Sequence, residues 1–258
     1  MRRPAPDVRL PPWWVEVLVG LLGYGAYECV QVLITGSAST AVDRARALWA
    51  LEGRLHLNPE ITLNHLLGGN HVLVVLAGVY YGLFHFVATP SALVMLRLRR
   101  RERYVNLRNA LVGVSVVALV VFWILPTAPP RLAVAGVIDT LKVNKILSAG
   151  APSWPASLAN PYAAMPSLHV AWAIWVALAL VVAFPGRRVR YLAWLYPVTT
   201  TLVVLATGNH FLADGVASAV LVGFVWWVIR IRAAESSADL RRAEGGGRGS
   251  LAAGKVSR

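Results

Sequence analysis

The chain has 258 residues, of which 57% are hydrophobic and 14% charged, with a mean hydropathy of +0.59. A soluble domain could not keep such a composition out of aggregates, so it implies an integral membrane protein. The net charge of +13 does not point to nucleic acid, because the arginines stand in clusters between apolar runs and are not interleaved with aromatics along one face. Such clusters anchor a membrane protein and attract anionic headgroups. Cys29 is the single cysteine, which excludes an intrachain disulfide and a cysteine-based zinc site.

A hydrocarbon core roughly 30 Å thick asks about 20 apolar residues of each spanning helix, so the chain has room for about six spans in one all-α domain. After a short cytoplasmic tail over 1–12, the first apolar run is Trp14–Thr35. Its basic start resembles a signal peptide, but the run is too long and is interrupted by Glu16 and Glu28, so it reads as a retained helix. Next comes STAVDRARALWALEGRLHL, with Val42, Ala45, Leu48, Trp49 and Leu55 at helical spacing beside Asp43, Arg44, Arg46, Glu52 and Arg54. That pattern predicts an amphipathic helix lying on the membrane surface.

Five more runs predict helices at Asn70–Leu96, Leu107–Leu125, Val170–Phe184, Tyr191–Thr207 and Phe211–Ile229. The first of these is long enough to tilt, or to kink at Pro90. The membrane domain is thus expected over 13–230, and the polar, glycine-rich tail 231–258 is expected to be disordered.

If the segments alternate sides, Arg44, Arg46, Arg54, Arg131, Lys142 and Lys145 share one side, and the other side carries 19 of the 25 lysines and arginines. The richer side should be cytoplasmic, with both termini inside a plasma (inner) membrane. This arrangement sends LPTAPPRL, MPSLH and GNHFLAD to one outer face. Three polar patches far apart in sequence would then meet at headgroup depth.

Within GNHFLAD, His210 and Asp214 are four residues apart, so on a helix they share a face. A carboxylate on one imidazole nitrogen fixes the tautomer and raises the basicity of the other nitrogen, as a nucleophilic or basic histidine requires. His169 offers a second imidazole, and Arg131 a planar cationic fork suited to phosphate oxygens. Each also has a structural reading: the pair as an interfacial cap, Pro166 and Ser167 as a helix start, Arg131 as a snorkel. Two histidines and a carboxylate could hold zinc, but a neighbouring Arg131 suits an anion and repels a cation. His56, His65, His71 and His85 read as structural, although His85 and Glu28 lie within spans and need partners there.

PTAPPR, PSLH and GNHFLAD, in that order over Leu125–Ser218, resemble the three signatures of the type 2 phosphatidic acid phosphatase superfamily, KxxxxxxRP, PSGH and SRxxxxxHxxxD. The resemblance implies a six-helix membrane enzyme in which His210 attacks phosphorus, Asp214 orients it and His169 protonates the leaving oxygen. It also implies that Arg131, Asn209 and the helix start around Ser167 bind the phosphoryl oxygens. No cofactor and no metal is expected.

Ile124 stands where the first signature has lysine, Leu132 where it has proline, Leu168 where the second has glycine, and Val203-Val204 where the third has Ser-Arg. Two phosphate-binding cations are therefore missing, and Lys142 or Lys145 could replace them only by folding back from their loop. With these departures the motifs look closest to the branch that includes inositolphosphotransferases, where a phospho-headgroup passes to an alcohol, here a polyol, instead of water. The alternatives are a lipid phosphate phosphatase and, from another class, a transporter or inactive scaffold.

Overall fold

The computed structural model of the protein describes residues 10–33, 38–143, 161–184 and 186–253, the last as backbone alone beyond residue 232. The described residues form helices and no named strand: α1 Trp13–Leu33, α2 Ala38–Arg54, α3 Glu60–Gly68, α4 His71–Val79, α5 His85–Arg99 and α6 Arg101–Ile124. They continue with the short turns α7 Pro130–Ala133 and α8 Thr140–Val143, then α9 Leu168–Ala183, α10 Arg187–Ala206 and α11 Leu212–Ala253. A π-helical turn, Tyr80–Phe84, joins α4 to α5.

Helices stand where all six apolar runs predict them, but they are not equal as membrane spans. Four are long and apolar enough to cross a bilayer: His71–Arg99, Arg101–Ile124, Arg187–Ala206 and Leu212–Arg232. α9 is apolar but has 16 residues, short of a full crossing, and α1 has 21 residues with Glu16 and Glu28 in its apolar run. Four such spans stand among the described residues, against the six that the apolar runs lead one to expect. In His71–Arg99 the irregularity falls at the π-turn, one to two turns before Pro90.

The packing sets two ends. At one, Arg97 donates Nη2–H to the carbonyl of Pro11 at 2.7 Å and Arg100 donates Nε–H to that of Val182 at 3.1 Å. Glu16, an oddity in an apolar run, pairs with Arg108 of α6 at 3.1 Å. Between the ends, Trp175 is fully buried against α6 and donates Nε1–H to Leu107 at 2.8 Å. Around it Ala110, Ala171, Ala179 and Ala183 let the helices approach closely.

α2 packs against the loops at the end of the bundle away from Arg97 and Arg100. The face it buries is Ala41, Ala45 and Glu52, with the two alanines packed against Ala128 and Phe211, while Leu51 and Leu55 remain exposed. Arg44 donates Nη1–H to the carbonyl of Pro126 at 2.9 Å. The helix is thus a buttress against the loops at the other end of the bundle. α11 continues as helical backbone to Ala253, past residue 230, although Gly245, Gly246, Gly247 and Gly249 in this stretch disfavour helix. Residues 254–258 lie outside the described residues.

Candidate active site

The end of the bundle opposite Arg97 and Arg100 gathers the three motifs. Thr127 donates its N–H to Tyr162 at 2.7 Å, and Ala164 donates back to Thr127 at 3.2 Å, which ties the first motif to the approach of the second. Arg131 donates its N–H to Gly208 at 3.1 Å, which ties the first to the third. Asn64, fully buried on α3, donates Nδ2–H to the carbonyls of Ile138 and Ala206, both at 2.9 Å, and accepts from the N–H of Ile138 at 2.8 Å. One amide side chain thereby closes the loop over the end of α10.

Gly208 makes the turn from α10 to α11 possible. Its φ is +71°, and a Cβ there would meet Val137 Cγ1 at 2.8 Å and the Ile138 carbonyl at 3.2 Å. Both the left-handed backbone and the close approach require glycine. The turn directs the N–H groups of Asn209 and His210 to the carbonyl of Val204, at 3.1 and 3.2 Å.

His210 is 5% exposed and Asp214 0%. The Nδ1 of His210 lies 3.2 Å from Asp214 Oδ2 and 2.9 Å from the carbonyl of Ala164. Two acceptors at one nitrogen require that nitrogen to carry the hydrogen, which leaves Nε2 with the lone pair. Asp214 is fixed in turn by the N–H of Phe211, 2.9 Å from Oδ2. The expected i, i+4 relation thus exists at the start of α11.

His169, in the first turn of α9, has its ring centroid 6.2 Å from that of His210. It stacks on Tyr81 at 4.2 Å and meets the edge of His85 at 4.6 Å. His85, read from sequence as structural, therefore belongs to the cluster. Tyr81 and His85 are an i, i+4 pair on the stretch that the π-turn re-aims, a signal that periodicity alone did not single out. His56, His65 and His71 take no part: His65 Nε2 binds the carbonyl of Gly136 at 2.7 Å, and His56 occupies a turn at φ +56°.

Ser167 is fully buried and its hydroxyl accepts from the N–H of Val170 at 3.4 Å, so it caps α9. Its own N–H and carbonyl bind Asp214 O at 3.4 Å and Ser218 Oγ at 2.8 Å, which lashes α9 to α11. What this helix start has to offer an anion is backbone, the N–H groups of Leu168 and His169. Asn209 also positions: Oδ1 accepts from Arg131 Nη1, and Nδ2–H binds Thr207 Oγ1 at 2.9 Å.

Arg131 forms an ion pair through Nε with Asp139 Oδ2 at 3.2 Å, a partner that the sequence did not signal. Its Nη2 end has no hydrogen-bond partner among the described residues. Lys142 reaches this corner only through its backbone N–H, 3.1 Å from Asp139 Oδ1, and its side chain is exposed. Lys145 lies outside the described residues. The structure thus brings His169, His210, Asp214, Arg131, Asn209 and the start of α9 together, and leaves the Lys142 side chain outside.

Val203 packs with Leu67, Val74 and Ala77, and Val204 is 2% exposed. The positions that carry Ser-Arg in the third signature are here part of an apolar contact between α10 and its neighbours.

No curated protein and no solved structure matched the chain. A family model described as the PAP2 superfamily matches residues 46–228, from the middle of α2 to well inside α11, and so takes in every residue of the cluster. Because that match spans well over half of its length, the chain belongs to the PAP2 superfamily.

Proposed function

We propose that the protein is a membrane enzyme that takes a phosphoryl or phospho-headgroup from a lipid onto His210 Nε2 and passes it to a hydroxyl acceptor, in the manner of the inositolphosphotransferases. Membership of the PAP2 superfamily supports a phosphatase or phosphotransferase of phosphorylated lipids in a membrane. The observation that carries the finer reading is the pair of acceptors on His210 Nδ1, which leaves the opposite nitrogen as a lone-pair donor beside a second imidazole.

In this reading Nε2 attacks phosphorus as the bond to the lipid oxygen breaks, and His169 delivers a proton to that oxygen. The lipid leaves as an alcohol, and the phosphoryl group stays on His210. An acceptor hydroxyl then attacks phosphorus, gives its proton to His169 and releases His210. Positioned acid catalysis of this kind contributes about 10²–10⁴-fold. The Nη2 end of Arg131 and the first N–H groups of α9 would meet the charge that develops on the phosphoryl oxygens. The six-span arrangement, with the site on the extracytoplasmic face, forms part of the same reading.

Transfer is preferred to hydrolysis because the site is short of cations. A monoester carries close to two negative charges and a diester one. Here Arg131 is the only arginine at a family position and already faces Asp139.

The test presents purified protein with polyprenyl, glycerol and sphingoid monoesters and matched diesters, with and without polyols, and follows free phosphate and new lipid separately. New lipid that depends on the polyol supports the reading. A preference of tenfold or more in kcat/KM for the monoester, about 1.4 kcal/mol of transition-state binding, favours a phosphatase instead.

A further inference from the structure

Three consecutive backbone N–H groups open α11, and each meets a different buried carboxyl group. Phe211 donates to Asp214 Oδ2 at 2.9 Å, Leu212 to Glu60 Oε1 at 2.8 Å, and Ala213 to Glu52 Oε1 at 2.6 Å. The first is local, as in a helix that caps itself. The other two arrive from α3 and α2, 152 and 161 positions away.

Glu60 is 0% exposed and Glu52 4%, and the Oε2 atom of each is buried with no hydrogen-bond partner among the described residues. The two carboxyl groups accept from the N–H groups of adjacent residues, Leu212 and Ala213, which sets them side by side. Two acceptors that face each other require a hydrogen between them, and one shared proton satisfies both. Burial, and then the neighbouring carboxyl, raises Glu52 to about 8, which is consistent with a pair that keeps a proton at neutral pH.

Such an arrangement is costly for a helix cap. A local serine or aspartate would satisfy the same N–H groups, whereas burying carboxyl groups carries a desolvation penalty of several kcal/mol per ion when charged. Its place explains it: the turn it grips begins directly after His210 and contains Asp214.

We propose that Glu52 and Glu60 are positioning residues for the phosphoryl-transfer site: as a carboxyl pair sharing one proton, they grip the first turn of α11 and so fix His210 and Asp214 against Ala164 and His169. This rests on the reading of His210 as the nucleophile. It assigns α2 and α3 a part in the chemistry although neither carries a residue of the three motifs.

Glutamine is the diagnostic substitution. In Glu52→Gln or Glu60→Gln the amide oxygen still accepts from the helix, and the amide N–H imitates the shared proton. Each should keep kcat within about threefold of wild type, under 1 kcal/mol of barrier. Glu52→Ala and Glu60→Ala release the turn and should lower kcat by about 10²-fold, the scale of a 1 Å misplacement, with KM within about twofold.

A second readout does not need turnover. With ¹⁵N-histidine labelling, and with His210 identified by its loss in His210→Ala, wild type and the glutamine variants should show a fixed Nδ1–H tautomer and the alanine variants exchange between tautomers. If the alanine variants fail to fold, Glu52→Asp replaces them: it draws the acceptor back by about one carbon–carbon bond, ~1.5 Å, and should lower kcat in a folded protein.

Alanine variants, or the aspartate in their place, with wild-type kcat and spectra would overturn the proposal. Glutamine variants as impaired as alanine would overturn it too, because charge and not acceptance would then matter. A wild-type protein that turns over no lipid counts against the proposed function alone, and the tautomer spectra still decide this one.

Discussion

The carbonyl of Ala164 takes the Nδ1–H of His210 at 2.9 Å, closer than the 3.2 Å to the carboxylate of Asp214. The orientation of the ring therefore does not rest on the carboxylate alone. Asp214→Asn keeps an oxygen in place but removes the charge that stabilises a cationic imidazole. We expect Asp214→Asn to form covalent phosphoryl-enzyme slowly, with a loss on the order of 10²-fold or more, and His210→Ala to form none. Rapid-quench trapping with labelled lipid distinguishes them. Trapping in His210→Ala at any rate would move the nucleophile elsewhere.

His169 lies against Tyr81 and His85 with its ring centroid 6.2 Å from that of His210, and the proposed reading has it protonate the leaving oxygen. A nitrophenolate leaves without needing a proton. His169→Ala should therefore retain much of its phosphoryl-enzyme formation with nitrophenyl esters and lose it by about 10²–10⁴-fold with lipid substrates. Equal losses on both would show that His169 does more than protonate.

Glu52 gives stability a pH dependence with a definite sign. Its carboxyl, normally near 4.5, is raised to about 8 by burial and then by Glu60. Over that interval the folded protein holds a proton that the unfolded chain has lost, so this contribution is complete below 4.5 and falls as pH rises to about 8. The unfolding midpoint in detergent should decline from pH 5 to 8 and level off above, and Glu52→Gln should flatten the decline. A midpoint that rises over this range in wild type contradicts the assignment.

Topology can be read by labelling. Cys29 is exposed and is removed first. In that background Lys142→Cys, at an exposed position beside the site, should react in intact cells with an impermeant thiol reagent, while Arg101→Cys at the other end should be protected. The reverse pattern would turn the protein over and place the site in the cytoplasm, against the distribution of its cations.

The sequence alone was enough for everything that depends on near neighbours along the chain. Composition gives the membrane class, the apolar runs give the places of the long helices though not every end, and the 3.6-residue period puts His210 and Asp214 on one face. The three motifs announced which residues gather at one end, because alternation of helices leaves little freedom over which loops share a side. Packing decided the rest. The spacing of Val42, Ala45, Leu48, Trp49 and Leu55 marks an apolar face of α2, but only the packing sets Ala41 and Ala45 at the centre of its contact with Ala128 and Phe211, with Val42, Leu48 and Trp49 around them. The same holds for His85 beside His169, Asp139 on Arg131, the Ala164 carbonyl on His210, and Glu52 and Glu60 on α11. Apart from the near pair Asp139 and Arg131, these contacts join residues from 46 to 161 positions apart. Such a pairing has no periodic trace in the chain, because it is set by the angle and depth at which one helix meets another.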